Sequence, residues 1–363
     1  MDLSKAFDCL SHELLIAKLE AYGFGKNSLR FLYSYLRNRK QRVRLGSSLS
    51  DWLTVLLGVP QGSILGPILF NIFINDLLFF IKDSSICNFA DDNTLSVCDI
   101  SINRVLIKLE RDLQIATNWF HNNSLVANPS KFQILLLGEK DSSSLSLKID
   151  GKKVYASKAV KLLGVTIDEK LCFVPHVKDI CDKANKKTKA LLRIRSYLTQ
   201  AKAEILCNSF ILSALNYCPL IWMFCGKTGD NLIKTAHRRS LRAMLNDFDS
   251  TYEQMLEKSK QPTIHQKNLR ILLSEVFKSL NSLNPEFMSN LFPPALCSHS
   301  LRPGSLLAVP RAKTNIGLNS MVFRATLAWN HLPNAPKQSV SISSFKKEIS
   351  LLQVYCKCKI CSI

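Results

Sequence analysis

A chain of 363 residues with 47% apolar side chains can build two or three domains around a sizeable core, which excludes a wholly disordered protein. The formal charge is +20 and lopsided: residues 1–140 carry 15 Lys/Arg against 13 Asp/Glu, and residues 141–363 carry 33 against 15. Such a field attracts polyanions, nucleic acid first and acidic membrane second. Met1 is followed by an acidic residue, and the first 20 residues are amphipathic and mixed in charge, so no signal peptide is read. The expected location is intracellular, nuclear or cytoplasmic, and not secreted.

In chain order, the first predicted helix runs from about Ser11 to Ala21, with Leu14, Leu15, Lys18 and Leu19 at helical spacing and Gly23 just beyond its end. A second spans about 27–36. In RNRKQRVRLGSSLSDWLTVLL, Val43 and Leu45 alternate with Arg42 and Arg44, which predicts a strand with one basic face, a Gly-Ser turn and an apolar strand. Arg37, Arg39, Lys40, Arg42 and Arg44 read equally as a solvated face or a nucleic-acid contact. GVPQGSILGP is a loop punctuated by Gly and Pro. It enters SILGPILFNIFINDLLFFIK, residues 63–82, the best candidate for a membrane span. Asp76, Asn71, Asn75 and Pro67 interrupt that stretch, and a charge at bilayer depth costs at least about 2.5 kcal/mol, so a buried core helix is expected instead.

In SICNFADDNTLSV, Ile86 to Ala90 and Thr94 to Val97 read as strands, with Asp91 and Asp92 in the turn between them. A long helix is expected from Ser101 to about Asn122, with Ile102, Val105, Leu106, Leu109, Leu113, Ala116 and Trp119 on its core stripe. SLVANPSKFQILLL reads as strand, Asn-Pro turn, strand. LSLKIDGKKVYA is a hairpin about Asp150-Gly151, and VKLLGVTID a further strand. From Pro175 the period becomes helical: Val177, Ile180, Ala184, Leu191 and Leu198 share one face, and Lys183, Lys186, Lys189 and Arg193 another. Helices are expected to about 293, broken near Pro219 and Pro262, and irregular chain over 294–345.

The 12 Cys are scattered, and reduced thiols are expected. The closing CKCKIC holds Cys356, Cys358 and Cys361. Three thiolates are one short of a closed zinc site. The tail reads either as frayed with free thiols or as a half-site completed by a His or by another chain.

A DD pair alone is weak, because turns favour Asp on their own account. Its companions matter more: Asp2 and Phe7 in DLSKAF, then GVPQGS, then Lys131 in NPSKFQ. Two carboxylate-bearing elements brought together can clamp divalent ions on both sides of an in-line phosphoryl displacement, and the ions then offset the repulsion between Asp91 and Asp92.

In order, DLSKAFD, GVPQGSILGPILFNIFINDL, FADDNTL, NPSKFQ and VKLLGVTIDEKLCF resemble the successive palm motifs of reverse transcriptases of the non-LTR (LINE-like) retrotransposon type. The resemblance covers about 1–180. Beyond it, VPRAKTNIGLNSMVFRATLAWNHLP and the Cys cluster are similar to C-terminal regions of such elements. The fold it implies is α+β: a polymerase palm (an antiparallel sheet packed on helices) over 1–172, a helical, basic, thumb-like domain over 173–293, and a looser C-terminal module over 294–363. The implied activity is RNA-directed DNA synthesis, with nucleotidyl transfer to a primer 3′-OH supported by two Mg²⁺ ions (Mn²⁺ as an alternative). The implied partners are an RNA template, a DNA primer and deoxynucleoside triphosphates, with no membrane.

By position, Asp2, Asp91 and Asp92 resemble the metal-binding aspartates, Asp91 the more direct ligand of the pair. Phe7 resembles the ring that excludes a 2′-hydroxyl, and Gln61 and Gly62 the loop that positions nucleotide and template. Lys131 resembles a lysine that protonates departing pyrophosphate, and Gly164 lies in the segment resembling the primer grip. Lys183, Lys186, Lys189 and Arg193 fall on the helix that would track a duplex backbone. The plainer alternatives are a core Phe7 and a solvated Lys131, while Asp8 and Asp76 read as caps or surface acids. No fingers region, endonuclease or strand ahead of Asp2 is read, so weak or absent synthesis by this chain is expected. A catalytically inactive transposon relic or co-opted nucleic-acid-binding protein, and a group II intron maturase, are the competing readings.

Overall fold

Residues 1–138, 144–295, 306–358, 360 and 361 are described by the structure, a computed structural model. The chain divides into two compact units, Met1–Lys158 and Ala159–Ile363.

The first unit opens with a short strand, β1 (Leu3–Ser4), and a single turn, α1 (Ala6–Cys9). Then come α2 (His12–Ala21), whose N-cap Ser11 accepts from Leu14 N, and α3 (Lys26–Leu36). Four two-residue strands follow: β2 (Lys40–Gln41), β3 (Arg44–Leu45), β4 (Ser48–Leu49) and β5 (Leu53–Thr54). They form two small antiparallel ladders, β2 with β5 and β3 with β4. The expected basic-faced strand is therefore only a fragment. Val43 and Leu45 are exposed, so neither face is buried.

The apolar stretch becomes α4 (Leu65–Ile74) and α5 (Leu77–Phe80). Leu69, Phe70, Phe73, Ile74 and Leu77 are buried, in one core with Leu15, Leu19, Leu32, Leu36, Trp119 and Phe120. Between the two helices Asp76 pairs with Lys18 at 2.7 Å. The Lys18 ammonium also donates to Phe73 O at 2.8 Å and lies 4.4 Å from the centre of the Trp119 ring. The acid that interrupts the run is thus an ion-pair partner. Among the described residues no helix is long and apolar enough to cross a membrane.

Next are β6 (Ser85–Phe89) and β7 (Asp92–Ser96), an antiparallel hairpin, then α6 (Ile102–Asn122), within a residue of its expected ends. Buried Asp112 on α6 accepts from the backbone N–H groups of Lys82, Asp83 and Ser84 and so fixes the entry to the hairpin. The unit ends with β8 (Val126–Ala127) and the hairpin β9 (Ser146–Ile149)–β10 (Lys152–Tyr155).

The second unit begins with β11 (Ala159–Leu162) and β12 (Val165–Asp168), a hairpin where one strand was expected. Asp168 then accepts from the N–H groups of Lys170, Cys172 and Phe173, turning the chain into α7 (Val174–Ile194). Burial pushes the Asp168 carboxyl up, but these donors outweigh it and the net shift is downward.

Helices follow: α8 (Gln200–Leu206), a π-helical stretch Cys207–Leu212, α9 (Ser213–Leu215), α10 (Pro219–Trp222), α11 (Gly226–Leu245), α12 (Tyr252–Ser259), α13 (Ile264–Leu280) and α14 (Glu286–Ser289). Val177, Ile180, Ala184 and Leu191 of α7 pack with Trp222 and with Ile233, Ala236 and Met244 of α11.

The segment expected to be irregular is mostly helical where it is described: α15 (Asn315–Leu318), α16 (Met321–Asn330), α17 (Asn334–Lys337) and, after it, α18 (Ile342–Ser350). Three of its Ser and Thr residues are caps rather than loop filler. Thr314, Ser320 and Ser341 each accept a backbone N–H at a helix start. Phe345 of α18 stacks on Phe277 of α13 at 4.5 Å, and both share a core with Trp329, Val354, Cys356 and Cys358.

Two buried histidines make this unit acid-sensitive. Burial pushes His237 down to about 4, and its Nδ1 lies 2.8 Å from the Tyr252 hydroxyl. Burial also pushes His176 down, and its Nδ1 accepts from Thr166 N, a bond that a protonated ring would lose. An unfolded His takes up its proton near pH 6.5. Each histidine therefore lends stability above that pH, and the contribution of His237 fades as pH falls toward 4. The slope is about 1.4 kcal/mol per pH unit and group at most. Urea midpoints taken from about pH 7 to about pH 5 should fall, and His237→Gln should flatten the decline. A midpoint independent of pH would contradict the buried, neutral rings.

Candidate active site

The site grows out of the first eight residues. β1 pairs with β8, Leu3 opposite Ala127 and Ser4 opposite Val126. Asn128 N then donates to Asp2 O at 3.1 Å. The following Asn-Pro turn sets Lys131 in a 3₁₀ turn, with its Nζ 3.4 Å from Asp2 Oδ2. Two side chains far apart in the sequence thus meet. That Asp2 oxygen is buried and accepts no hydrogen bond from the described residues, and the Lys131 charge faces it.

The β6–β7 hairpin reaches the same segment. Asn93 N donates to Met1 O at 3.4 Å, and the Met1 amino group donates to Asn93 O at 2.5 Å. Burial lowers that amino group's pKa, and the charges of Asp92 and Asp2 offset only part of the shift.

The ladder runs as far as Phe89 opposite Asp92, leaving Ala90 and Asp91 as a two-residue turn with Ala90 at φ 53°. Asp92 is therefore the first strand residue, not a turn residue as expected, because a two-residue turn has room for only one of the pair. Asp91 is half-buried and Asp92 exposed. Buried Asn93 donates from Nδ2 to Asp91 O at 3.0 Å and steadies the tip. Among the described residues, ligand oxygens of Asp2, Asp91 and Asp92 do not form a set lying within 4.8 Å of one another.

The third arm is the Gly/Pro loop. Gly58 N donates to Leu10 O at 2.7 Å and Val59 N to Phe7 O at 2.8 Å. His12 Nε2 donates to Gly58 O at 2.7 Å. Gln61 Nε2 donates to Asp8 Oδ1 at 3.0 Å. Ser63 Oγ bridges Pro60 O and Gly66 N, closing the loop onto α4. Gly62 has open space around it. Phe7 is half-buried and stacks on Phe70 at 4.5 Å, so its ring is part of the core and also borders the site.

Residues 1–8 are thus bonded to the hairpin tip, to the Lys131 turn and to the loop that carries Gln61. The supporting residues were not singled out by sequence reasoning. Asp8 reads in the sequence as a cap or surface acid, His12 and Asp112 bond to backbone groups distant in sequence, and Asn93 bonds the carbonyl of Asp91 at the hairpin tip. In the second unit, Lys183, Lys186, Lys189 and Arg193 are all exposed on α7, and the face with Val177, Ile180, Ala184 and Leu191 is buried. Gly164 lies at the β11–β12 turn, where an added Cβ would meet the Tyr217 ring at 3.3 Å.

The sequence profile of the reverse transcriptase (RNA-dependent DNA polymerase) family matches residues 1–167. Residues 1–167 thus resemble a reverse transcriptase domain. Its relatives are of the non-LTR retrotransposon kind. The probable RNA-directed DNA polymerase from transposon BS of Drosophila melanogaster is 28% identical over 256 residues, covering 67% of this chain and 28% of that protein. The RNA-directed DNA polymerase from mobile element jockey of the same species is 25% identical over 252 residues, covering 67% and 27%. A Pol polyprotein from the type-1 retrotransposable element R1 2 of Nasonia vitripennis is 28% identical over 202 residues, covering 52% and 49%. The aligned stretch thus amounts to only about a quarter to a half of these relatives. The reverse transcriptase segment contains Asp2, Phe7, Gln61, Gly62, Asp91, Asp92 and Lys131, whereas the four α7 cations lie beyond it.

Proposed function

We propose that this chain is the RNA-directed DNA polymerase portion of a non-LTR retrotransposon protein: a palm over 1–172, a thumb-like helical domain over 173–293 and a C-terminal module over 294–363. One observation carries the reading. A single eight-residue segment holding Asp2 is hydrogen-bonded to both other carboxylate and loop segments and ion-paired to Lys131.

Asp2, Asp91 and Asp92 would hold two Mg²⁺ ions, or Mn²⁺ in their place. The buried Asp2 Oδ2, which accepts no hydrogen bond from the described residues, fits a cation there. Mg²⁺ usually takes one or two carboxylates plus substrate phosphates, so carboxylates that stand apart without substrate suit it. Bound there, the ions supply charge stabilisation for the α-phosphate and the departing pyrophosphate.

The chain's own groups do the rest. Phe7 borders the sugar and admits a deoxyribose, and Gln61 and Gly62 line the nucleotide and template. As the primer 3′-hydroxyl loses its proton to solvent and its oxygen bonds to the α-phosphorus, the bond from that phosphorus to the oxygen bridging to the β-phosphate breaks, and Lys131 gives a proton to the departing pyrophosphate. Lys183, Lys186, Lys189 and Arg193 contact backbone phosphates of the template–primer duplex. The work is intracellular, where template and primer are found.

A second reading is a nucleic-acid binder that does not synthesise DNA. The separated carboxylates and the exposed cationic face of α7 favour it. The deciding experiment is Mg²⁺-dependent extension of a DNA primer on an RNA template. Robust extension that Asp91→Ala abolishes supports the polymerase. Salt-sensitive binding with no extension, unchanged in Asp91→Ala, supports the binder. In either case, changing Lys183, Lys186, Lys189 and Arg193 together to Gln should weaken binding and flatten its log–log salt dependence by up to about 3.6. An unchanged slope would remove α7 from the nucleic-acid surface.

A further inference from the structure

The closing cysteines do not fray. Cys356 and Cys358 are buried and Cys361 is half-buried. A histidine meets them from the first turn of α13, ninety-one residues before the first cysteine. His265 Nε2 lies 3.3 Å from Cys361 Sγ, 3.4 Å from Cys358 Sγ and 3.9 Å from Cys356 Sγ. Cys356 Sγ and Cys361 Sγ are 3.7 Å apart. The four ligand atoms all lie within 4.8 Å of one another.

These separations are diagnostic. In a disulfide the sulfurs would be about 2.05 Å apart. Around a tetrahedral zinc with Zn–S about 2.3 Å and Zn–N about 2.0–2.1 Å, simple geometry puts sulfurs about 3.8 Å apart and sulfur about 3.5 Å from nitrogen. The observed edges scatter about those values. The sequence has the matching local form: Cys358 and Cys361 are spaced C-x₂-C, the spacing of zinc knuckles, and Cys361 N donates to Cys358 O across the turn.

The approach to the cluster is held from both sides. Gln266, next to His265, donates from Nε2 to Val354 O at 2.8 Å and accepts from Val354 N at 3.1 Å. Arg324 on α16 donates to Lys357 O at 2.7 Å, between the two buried cysteines. The ligands are thus placed by contacts that do not depend on an ion. Each thiol loses its proton to solvent when the metal binds.

We propose that His265, Cys356, Cys358 and Cys361 form a closed Cys₃His site for a structural Zn²⁺ that locks the C-terminal tail onto α13. With four protein ligands no coordination position is left for a substrate, so the role is structural rather than catalytic. The proposal is independent of the polymerase reading.

The test uses the full chain purified with zinc in the growth medium and dialysed against metal-free buffer. Elemental analysis should find one zinc per chain. Replacement by Co²⁺ should give the absorption bands of a tetrahedral thiolate site, with thiolate-to-metal charge transfer. Cys358→Ser and His265→Ala should each lower zinc affinity by at least about 10-fold, the low end known for outer-shell changes alone, whereas Cys87→Ser and Cys98→Ser, at exposed cysteines, should retain it.

Should a ligand variant fail to fold, limited proteolysis of the unaltered chain answers instead: chelation should expose the tail after Ser350 to cleavage, and added Zn²⁺ should restore protection. A zinc-free chain with no cobalt spectrum, a tail whose protection ignores chelator, or zinc retained by the His265→Ala, Cys358→Ser double variant would each overturn the proposal.

Discussion

Asp2→Asn should reduce nucleotide incorporation by about 10²–10³-fold, the loss that follows when one preorganised charge-stabilising group is taken from an active site. Asn keeps the shape and the backbone bonds: Asn128 N still donates to the carbonyl at position 2, and β1 still pairs with β8. What goes is the negative charge on an oxygen that is buried, accepts no hydrogen bond from the described residues and faces the Lys131 ammonium at 3.4 Å. That ion pair is partly solvent-exposed, so its loss should change stability by no more than about 1 kcal/mol. Rate and stability then separate, as a ligand role demands and a structural role does not. Lys131→Ala should also slow incorporation, by about 10²-fold or more if its proton matters, with the loss smallest at acid pH. Single-turnover extension kinetics at several Mg²⁺ concentrations, alongside urea unfolding, would measure both. If Asp2→Asn extended primers at the unaltered rate, the assignment of Asp2 to the metal site would fail; if the unaltered chain extended no primer, the second reading, binding without synthesis, would take its place.

Much of this site is legible in the sequence because its parts sit at element ends, where turn chemistry marks the chain. The Ala90–Asp91 tip, the Asn128–Pro129 turn and the α6 boundaries fall close to where propensity puts them. What could not be read is what depends on distant backbone. Asp8, Asn93 and Asp112 each bond to another segment or to main-chain groups, and no local pattern distinguishes such a residue from a surface acid or amide. His265 is the clearest case. The three cysteines announce an incomplete set of ligands, but the fourth arrives from a helix whose own periodicity gives no hint of it. The error over 294–345 had a different origin. Ser and Thr serve both loops and helix N-caps; the second use is seen at Thr314, Ser320 and Ser341, and behind Ser320 and Ser341 the short helices bury Ala325, Trp329 and Phe345.

Gly58→Ala should cost about 2–5 kcal/mol and should disturb the site even in molecules that stay folded. Two effects add. Gly58 has φ +81°, where a Cβ costs roughly 1–2 kcal/mol. An added Cβ would also stand 2.7 Å from Asp8 Cα, Asp8 O and Phe7 O, all backbone atoms with no rotamer to escape into. Relieving that overlap means driving the loop away from residues 7–10, at a further cost of about 1–3 kcal/mol. The Gly58–Leu10 and Val59–Phe7 hydrogen bonds hold the two segments together and would lengthen first. Gln61 would then lose its register with Asp8, and Phe7 its seat against Phe70. Gly46→Ala is the matching control: φ is +61° and nothing lies within 4 Å of the added carbon, so only the backbone strain remains. Urea unfolding of the two variants isolates the clash as the difference between them, and primer extension at a temperature where both are folded reads its effect on the site. Equal destabilisation by the two changes would mean that the loop and residues 7–8 are not in contact in solution, and the hub that gathers Asp2, Gln61 and the hairpin would lose one of its three arms.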